Sequence, residues 1–233
     1  MKEWIAGRNP VYEVLRAKRR QLFRARLAVG VEEKGRISEI ISLLQERKIT
    51  LERVPRPNLD QLAENHQGIA LQTSSYPYSS LQDILEKLGT IPGDPFLLIL
   101  DELQDPQNLG TLLRTAEAAG VHGVILPSHA AAGVTPAVVH ASSGATEHLF
   151  IAPHNLAQAI QIIKQENVWV IGLEFSREAS PINRVRLDGP IALVVGSEGQ
   201  GMRHLVRKSC DQLVYLPMHG QIGSLNASVA GSI

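Results

Sequence analysis

The residues most able to do chemistry sit in three loops, each following an apolar run. In "IALVVGSEGQGM", Ile191 to Met202, five apolar residues lead into Gly196, Gly199 and Gly201, with Glu198 among the glycines. A glycine-rich turn after a strand ordinarily offers backbone N–H groups to a phosphate. A carboxylate in that ring competes with a phosphate. The loop therefore suits a ligand with no phosphate at that point, or one in which Glu198 accepts the hydrogen bonds that fix the turn. In "LDELQDPQNLGTLLRTAEAAG", Asp105 followed by Pro106 reads as a helix cap and a first-turn proline. Asn108 and Arg114 are the polar residues left on that helix, about 120° apart on its wheel. Leu113, Thr115 and Ala116 flank Arg114, which predicts a partly enclosed guanidinium suited to a phosphate. In "LPMHGQIGSLNASVAGSI", Gly220, Gly223, Ser224 and Asn226 permit close backbone approach to a ligand. Gly-Ser there signals a helix start, with Asn226 in the first turn.

These loops need a scaffold. Strands are predicted at "PFLLILD", "VHGVILP", "EHLFIAP", "VWVIGLE", "IALVVG" and "QLVYLP". Helices are predicted from about Asn108 to Ala119, around Thr135–Ser143, and at Leu156–Glu166 and Gln200–Ser209. Near-continuous apolar strands alternating with helices predict a mostly parallel sheet covered on both faces, with ligands at the carboxyl ends of the strands. The first 75 residues alternate separately: helix at "NPVYEVLRAKR", strand at "RARLAVG", helix at "RISEIISLLQERK", strand at "ITLERVP", a short helix at "NLDQLAEN" capped by Asn58, and strand at "GIALQTS". The fold class is α/β, with a small domain at 1–75, a linker at 76–90 that ends in a short helix at "LQDILEKLG", and a larger domain at 91–233.

The 233 residues are 44% hydrophobic and 20% charged, as in ordinary globular proteins. No apolar run approaches the roughly 18 residues of a membrane span, and "MKEWIAGRNP" has no signal-peptide core. The expectation is a cytoplasmic chain with no membrane partner. A single cysteine, Cys210, excludes an internal disulfide and any cysteine-cluster metal site. It reads as a small buried helix residue, and no metal is expected. Net charge is zero, but residues 1–75 carry 14 Lys and Arg against 9 Asp and Glu. The densest basic stretch, "RAKRRQLFRAR", reads as a phosphate-contacting surface. A dinucleotide-dependent oxidoreductase would need GxGxxG after an early strand and an acidic residue about 20 positions on; neither is present.

"DPQNLGTLLRTAEAAG", "VVGSEGQGM" and "LPMHGQIGSLNASVAGS" resemble, in order and spacing, the three signature motifs of the SpoU family of RNA ribose 2′-O-methyltransferases, of the SPOUT class. "GRNPVYEVL" resembles the opening of that family's RNA-binding domain, whose fold is similar to ribosomal protein L30e. The resemblance covers almost the whole chain. It implies a C-terminal trefoil knot, a homodimer through the knotted domain, and S-adenosylmethionine as methyl donor. It implies that Gly196, Gly201, Leu216, Ile222 and Leu225 line the cofactor. It matches Asn108, Arg114, Glu198, Ser224 and Asn226 to the family's catalytic polar positions. RNA contacts are expected from Arg8, Asn9, Arg16, Lys18, Arg19 and Arg20. The two-domain form implies a guanosine ribose of 23S rRNA near the peptidyl-transferase centre, in free RNA or in an assembling large subunit. A tRNA ribose methyltransferase and a non-catalytic L30e-like RNA-binding module are the alternatives. The family continues beyond "SVAGSI", which implies a last helix cut short at Ile233.

Overall fold

The computed structural model describes residues 1–129, 132–197, 199, 201–221 and 223–233. The chain forms two units, residues 1–77 with 134–148, and residues 78–133 with 149–233.

The first unit opens with strand β1 (Lys2–Ala6), helix α1 (Arg8–Ala17), strand β2 (Leu22–Ala28), helix α2 (Arg36–Glu46), strand β3 (Thr50–Val54), helix α3 (Pro57–Asp60) and strand β4 (Ile69–Ser74). Its four-stranded sheet runs β1-β4-β2-β3. β4 is antiparallel to both neighbours, pairing Leu71 with Ile5 and with Ala25, whereas β2 and β3 are parallel. Val11, Val14 and Leu15 of α1 and Ile37, Ile40 and Leu44 of α2 form apolar stripes at helical spacing, and all six are buried. β1 was not expected. Its five residues include Lys2 and Glu3, and only pairing with β4, nearly 70 residues later, makes them a strand. α3 also departs from expectation. Pro57 at the first helical position starts it one residue early, so Asn58 lies inside the helix and does not cap it.

The second unit begins with α4 (Leu81–Leu88). A reciprocal cap starts this helix: Asp83 N donates to Ser80 Oγ at 3.1 Å, and Ser80 N donates to Asp83 Oδ2 at 2.7 Å. The backbone N–H of Ser80 holds the Asp83 carboxyl below its usual range. There follow β5 (Phe96–Leu100), α5 (Pro106–Ala118) and β6 (Gly123–Pro127).

The chain then supplies α6 (Pro136–Ala141) and a 3-10 turn, Ala145–His148, to the first unit. This corrects the continuous domain expected at 91–233, and the strand expected at "EHLFIAP" starts only at Ile151. The reason is polar as well as apolar. Val138 and Val139 are buried, Tyr76 Oη donates to Thr146 O at 2.9 Å, and Glu147 receives Arg20. Burial pushes the Tyr76 phenol up to about 12.

The second unit resumes with β7 (Ile151–His154), α7 (Leu156–Gln165), β8 (Trp169–Leu173), the two-residue β9 (Ser180–Pro181), β10 (Ile191–Val195), α8 (His204–Ser209), β11 (Gln212–Tyr215) and α9 (Ala227–Ala230). Its seven strands run β7-β6-β5-β10-β8-β11-β9, and every described pairing is parallel. Leu97, Ile99, Ile125, Ala192 and Val194 are fully buried within one core with Ile160 and Ile163 of α7. From β5 the chain crosses one way to β6, and from β10 the other way to β11. The adjacent carboxyl ends of β5 and β10 are therefore a switch point, where a parallel sheet opens a crevice for ligands.

Candidate active site

The switch point is closed by two buried or half-buried carboxylates. Asp101, directly after β5, is fully buried, and its N–H donates to Val195 O at 2.8 Å. Its Oδ2 accepts from Arg203 N and its Oδ1 from Arg203 Nε, both at 2.8 Å. Glu174, directly after β8, accepts from Met202 N at 3.0 Å and pairs with Arg207. Together they hold the far end of the loop that follows β10. This grip on Arg203 is why α8 starts at His204 and not at 200 as the pattern suggested.

Inside that loop, Ser197 and Gly201 bond to each other in both directions, each N–H donating to the other's carbonyl at 3.1 Å. The turn returns so tightly that Gly196 has no space for a side chain. A Cβ there would stand 2.4 Å from Gly201 C and 2.5 Å from Met202 N. Gly201 takes φ +69°, in the left-handed region that favours glycine. Gly196→Ala is expected to lower stability by about 1–3 kcal/mol, the usual range for forced overpacking. Urea unfolding measures it, and an unchanged midpoint would mean the loop is looser than described.

The first and third loops meet through amides. Asp105 caps α5, accepting from Gln107 N at 3.0 Å, with Pro106 in the first turn as expected. Two positions further in, Asn108 Oδ1 accepts from Asn226 Nδ2 at 3.1 Å and from Ser228 Oγ at 3.3 Å. Asn226 Oδ1 in turn accepts from Ser228 N at 2.9 Å and from Ser228 Oγ at 2.6 Å. Asn226 therefore caps α9 and does not enter its first turn. A turn and more along α5, Ser232 Oγ meets Thr115 Oγ1 at 3.0 Å, so α9 lies along α5. Arg114 shares α5 but is exposed, and the enclosure expected from its small neighbours is not found. Leu109, Leu112, Leu113 and Ala116 fill the buried face, which leaves position 114 on the solvent side.

Of the expected cofactor residues, Gly196 is buried, Gly201 and Leu216 are half-buried, and Leu225 is 40% exposed. Ser224 is exposed beside Leu225. Glu198 and Ile222 lie outside the described residues. Burial pushes the Cys210 thiol up to about 12, with Asp211 adding to it, so the cysteine is an inert thiol at the end of α8. Among the described residues no cluster of His, Cys, Asp or Glu can hold a metal ion, and no helix is long and apolar enough to cross a membrane.

The basic stretch of the first unit divides sharply. The Arg20 side chain is 0% exposed. It donates to Glu147 through Nε at 2.9 Å and Nη2 at 2.7 Å, to Ser74 O, and to Glu3. Burial alone would push its guanidinium toward neutrality, but the two carboxylates outweigh that and raise its pKa. Arg19 donates to Pro77 O and Glu147 O. Both were expected to contact RNA; both bond to the segment 145–148, and Arg20, whose guanidinium is fully buried, must be paired. Arg24 and Arg26 pair with Glu52. Arg8, Asn9, Arg16 and Lys18 remain exposed.

Comparison with known proteins bears on both units. Residues 95–233 match the SpoU rRNA methylase family, and residues 4–79 match the domain described as RNA 2′-O ribose methyltransferase substrate binding. The chain belongs to the SpoU rRNA methylase family. It is 41% identical over 235 residues to YacO of Bacillus subtilis (strain 168), assigned to the TrmH family of tRNA/rRNA methyltransferases, covering 99% of this chain and 92% of that one. It is 39% identical over 209 residues to a Staphylococcus saprophyticus protein of the same assignment, covering 86% and 81%. Among solved structures it shares its fold with the SpoU methyltransferase AviRb of Streptomyces viridochromogenes, at TM-score 0.79 and 20% identity, covering 99% of this chain and 86% of that one. An rRNA methyltransferase of Sinorhizobium meliloti gives TM-score 0.80 and 21% identity, covering 99% and 84%.

In this SpoU methylase the three motif loops converge on one end of one sheet. Sequence reasoning missed Asp101, Glu174, Ser228 and Arg203, which brace those loops. Asp101 carried a signal, as a carboxylate directly after the apolar run "FLLIL". Glu174 carried none, because its partners Met202 and Arg207 are remote in sequence, and Ser228 none beyond its neighbour Asn226, because Asn108 is remote.

Proposed function

We propose that this chain transfers a methyl group from S-adenosylmethionine to the ribose 2′-oxygen of a guanosine in 23S rRNA, in the region of the peptidyl-transferase centre. The observation that carries the reading is the union, in one chain, of a SpoU methylase match and an RNA 2′-O ribose methyltransferase substrate-binding match. The S. meliloti rRNA methyltransferase aligns with 99% of this chain, whereas the A. aeolicus tRNA modifying enzyme aligns with 65% at TM-score 0.53, which favours rRNA over tRNA.

The residues present fit the donor. Structures of both AviRb and the S. meliloti enzyme hold AdoMet. Residues 216–233 here contain no Asp, Glu, Lys or Arg, and Met218 and Leu225 expose 39% and 40% of their surface. A neutral segment with exposed apolar side chains, at the same end of the sheet as the tight turn after β10, suits an adenosine without phosphate. Gly196, Gly201, Leu216, Ile222 and Leu225 would hold it. When bound it supplies a methyl group on a sulfonium, a good leaving group. The protein's own task is then to orient the acceptor and exclude water. Asn108 and Asn226, tied together, fix the first and third loops relative to each other. Arg114, which stays protonated up to a pKa above about 12, holds the 2′-hydroxyl and the neighbouring phosphate, and the hydroxyl proton leaves to phosphate or water. Ser224 positions the ribose, and Glu198 belongs to the same set of polar motif residues. The reading includes the family's trefoil knot, a homodimer through the knotted unit, and a cytoplasmic site of action.

The test offers labelled S-adenosylmethionine with unmodified 23S rRNA and with unmodified tRNA, separately. Label in 23S rRNA alone is expected. Label in tRNA alone would move the substrate to tRNA and leave the chemistry standing.

A further inference from the structure

We infer that the first unit carries a discrete clasp for one RNA backbone phosphate, distinct from the basic stretch at 16–26, and formed by Arg8, Arg36 and Arg56. This deepens the RNA-methyltransferase reading and rests on it. The first unit contains an open cavity of about 570 Å³ lined by Arg8, Asn9, Arg36, Arg56, Gln67 and Val31. No carboxylate lines it. The three guanidines come from three separate elements. Arg8 is the first residue of α1, Arg36 the first of α2, and Arg56 the residue before α3.

That placement is costly for the helices themselves. A cation at a helix N-terminus opposes the helix dipole, which favours anions there. α1 and α2 each start with one, and their caps, Gly7 and Gly35, offer no side chain; Gln67 Oε1 takes the first N–H of α1, and Glu39 places a carboxylate in the first turn of α2. Three arginines from three helix starts nevertheless line one cavity, and no carboxylate lines it with them. A bound anion in that cavity meets three guanidines at once.

The cavity is also built, not incidental. Gln67 Oε1 accepts from Arg8 N at 2.9 Å, and Gln67 O accepts from Arg8 Nε at 3.3 Å, which fixes Arg8. Buried His66 holds the same segment, its Nδ1 accepting from Gly68 N at 2.9 Å and its Nε2 meeting Asp60 at 2.9 Å. Arg36 stacks 3.8 Å from the centroid of the Tyr12 ring and pairs with Glu39 one turn along α2. Arg56 is exposed, with no ion pair among the described residues. A flexible or continuous RNA backbone fits such a site better than a protein carboxylate, because its phosphate accepts from several planar donors together. The space beyond one phosphate accommodates the sugar of the same nucleotide.

The test is filter binding of a labelled, unmodified 23S rRNA transcript to the full chain between about 50 and 200 mM salt. Arg8→Gln, Arg36→Gln and Arg56→Gln are expected to weaken binding about tenfold each. Because the three act on one phosphate, the triple variant should flatten the salt slope by only about 1, the loss of one phosphate contact. Arg53→Gln, an exposed residue paired with Glu33, should bind as the unaltered chain does. In methyl transfer, KM for RNA should rise with kcat unchanged. Arg56→Glu guards against a folding artefact, since the Arg56 side chain makes no hydrogen bond or ion pair among the described residues and reversal should weaken binding further. Wild-type affinity in the triple variant, or a slope loss near 3, would overturn the single clasp while methylation continued. Absence of RNA binding and of methylation in the unaltered chain would bring down the functional reading with it.

Discussion

Glu147→Ala is expected to destabilise the protein by about 3 kcal/mol. The Glu147 and Arg20 side chains are both 0% exposed and joined by two hydrogen bonds. Removing one partner of a buried pair leaves a charge without its counter-ion, which costs about 3–5 kcal/mol. Here the lower end applies, because Glu3 and Ser74 O still receive the guanidinium. The pair itself is not the source of stability. Replacing both by apolar residues of similar size, Arg20→Met with Glu147→Leu, should recover most of the loss. Urea unfolding of the two variants decides the point. Equal, near-wild-type midpoints would mean that water reaches the pair and that segment 145–148 is held by apolar packing alone.

Arg114→Lys should have the opposite profile. Position 114 is exposed on α5, so the change should move stability by no more than about 0.5 kcal/mol. Methyl transfer should nevertheless fall about 100-fold or more. Lysine keeps the charge but loses the planar fork that holds a hydroxyl and a phosphate together, and misplacement of a reacting group by about 1 Å costs a factor of that size. Binding of S-adenosylmethionine, measured by calorimetry, should not change. A variant with normal turnover would remove Arg114 from the proposed chemistry. A variant with lost cofactor binding would move it to the cofactor wall.

The legible parts of the fold were those whose pattern is local. Apolar runs such as "FLLIL" and "IALVV" give buried parallel strands, and Asp105-Pro106 marks the start of α5, because burial and capping depend on near neighbours. The exchange of 134–148 into the first unit was not legible. It rests on Arg20 meeting Glu147 across 127 positions, and neither residue differs in type from a surface charge. For the same reason a basic stretch read as one surface: Arg16 and Lys18 are exposed, while Arg19 and Arg20, the next two residues, are structural. The polar motif residues were found by type and spacing. What joins them was not, since Asn108 meets Asn226 and Ser228 only once α9 lies along α5. Arg36 and Arg56 escaped notice because they are isolated in sequence and converge only in the fold.

The central claim is methyl transfer to a ribose oxygen. Its most direct test digests RNA labelled by this protein to nucleosides and identifies the labelled product. The expected product is 2′-O-methylguanosine. A nucleoside methylated on its base, or no labelled nucleoside from either 23S rRNA or tRNA, would contradict it.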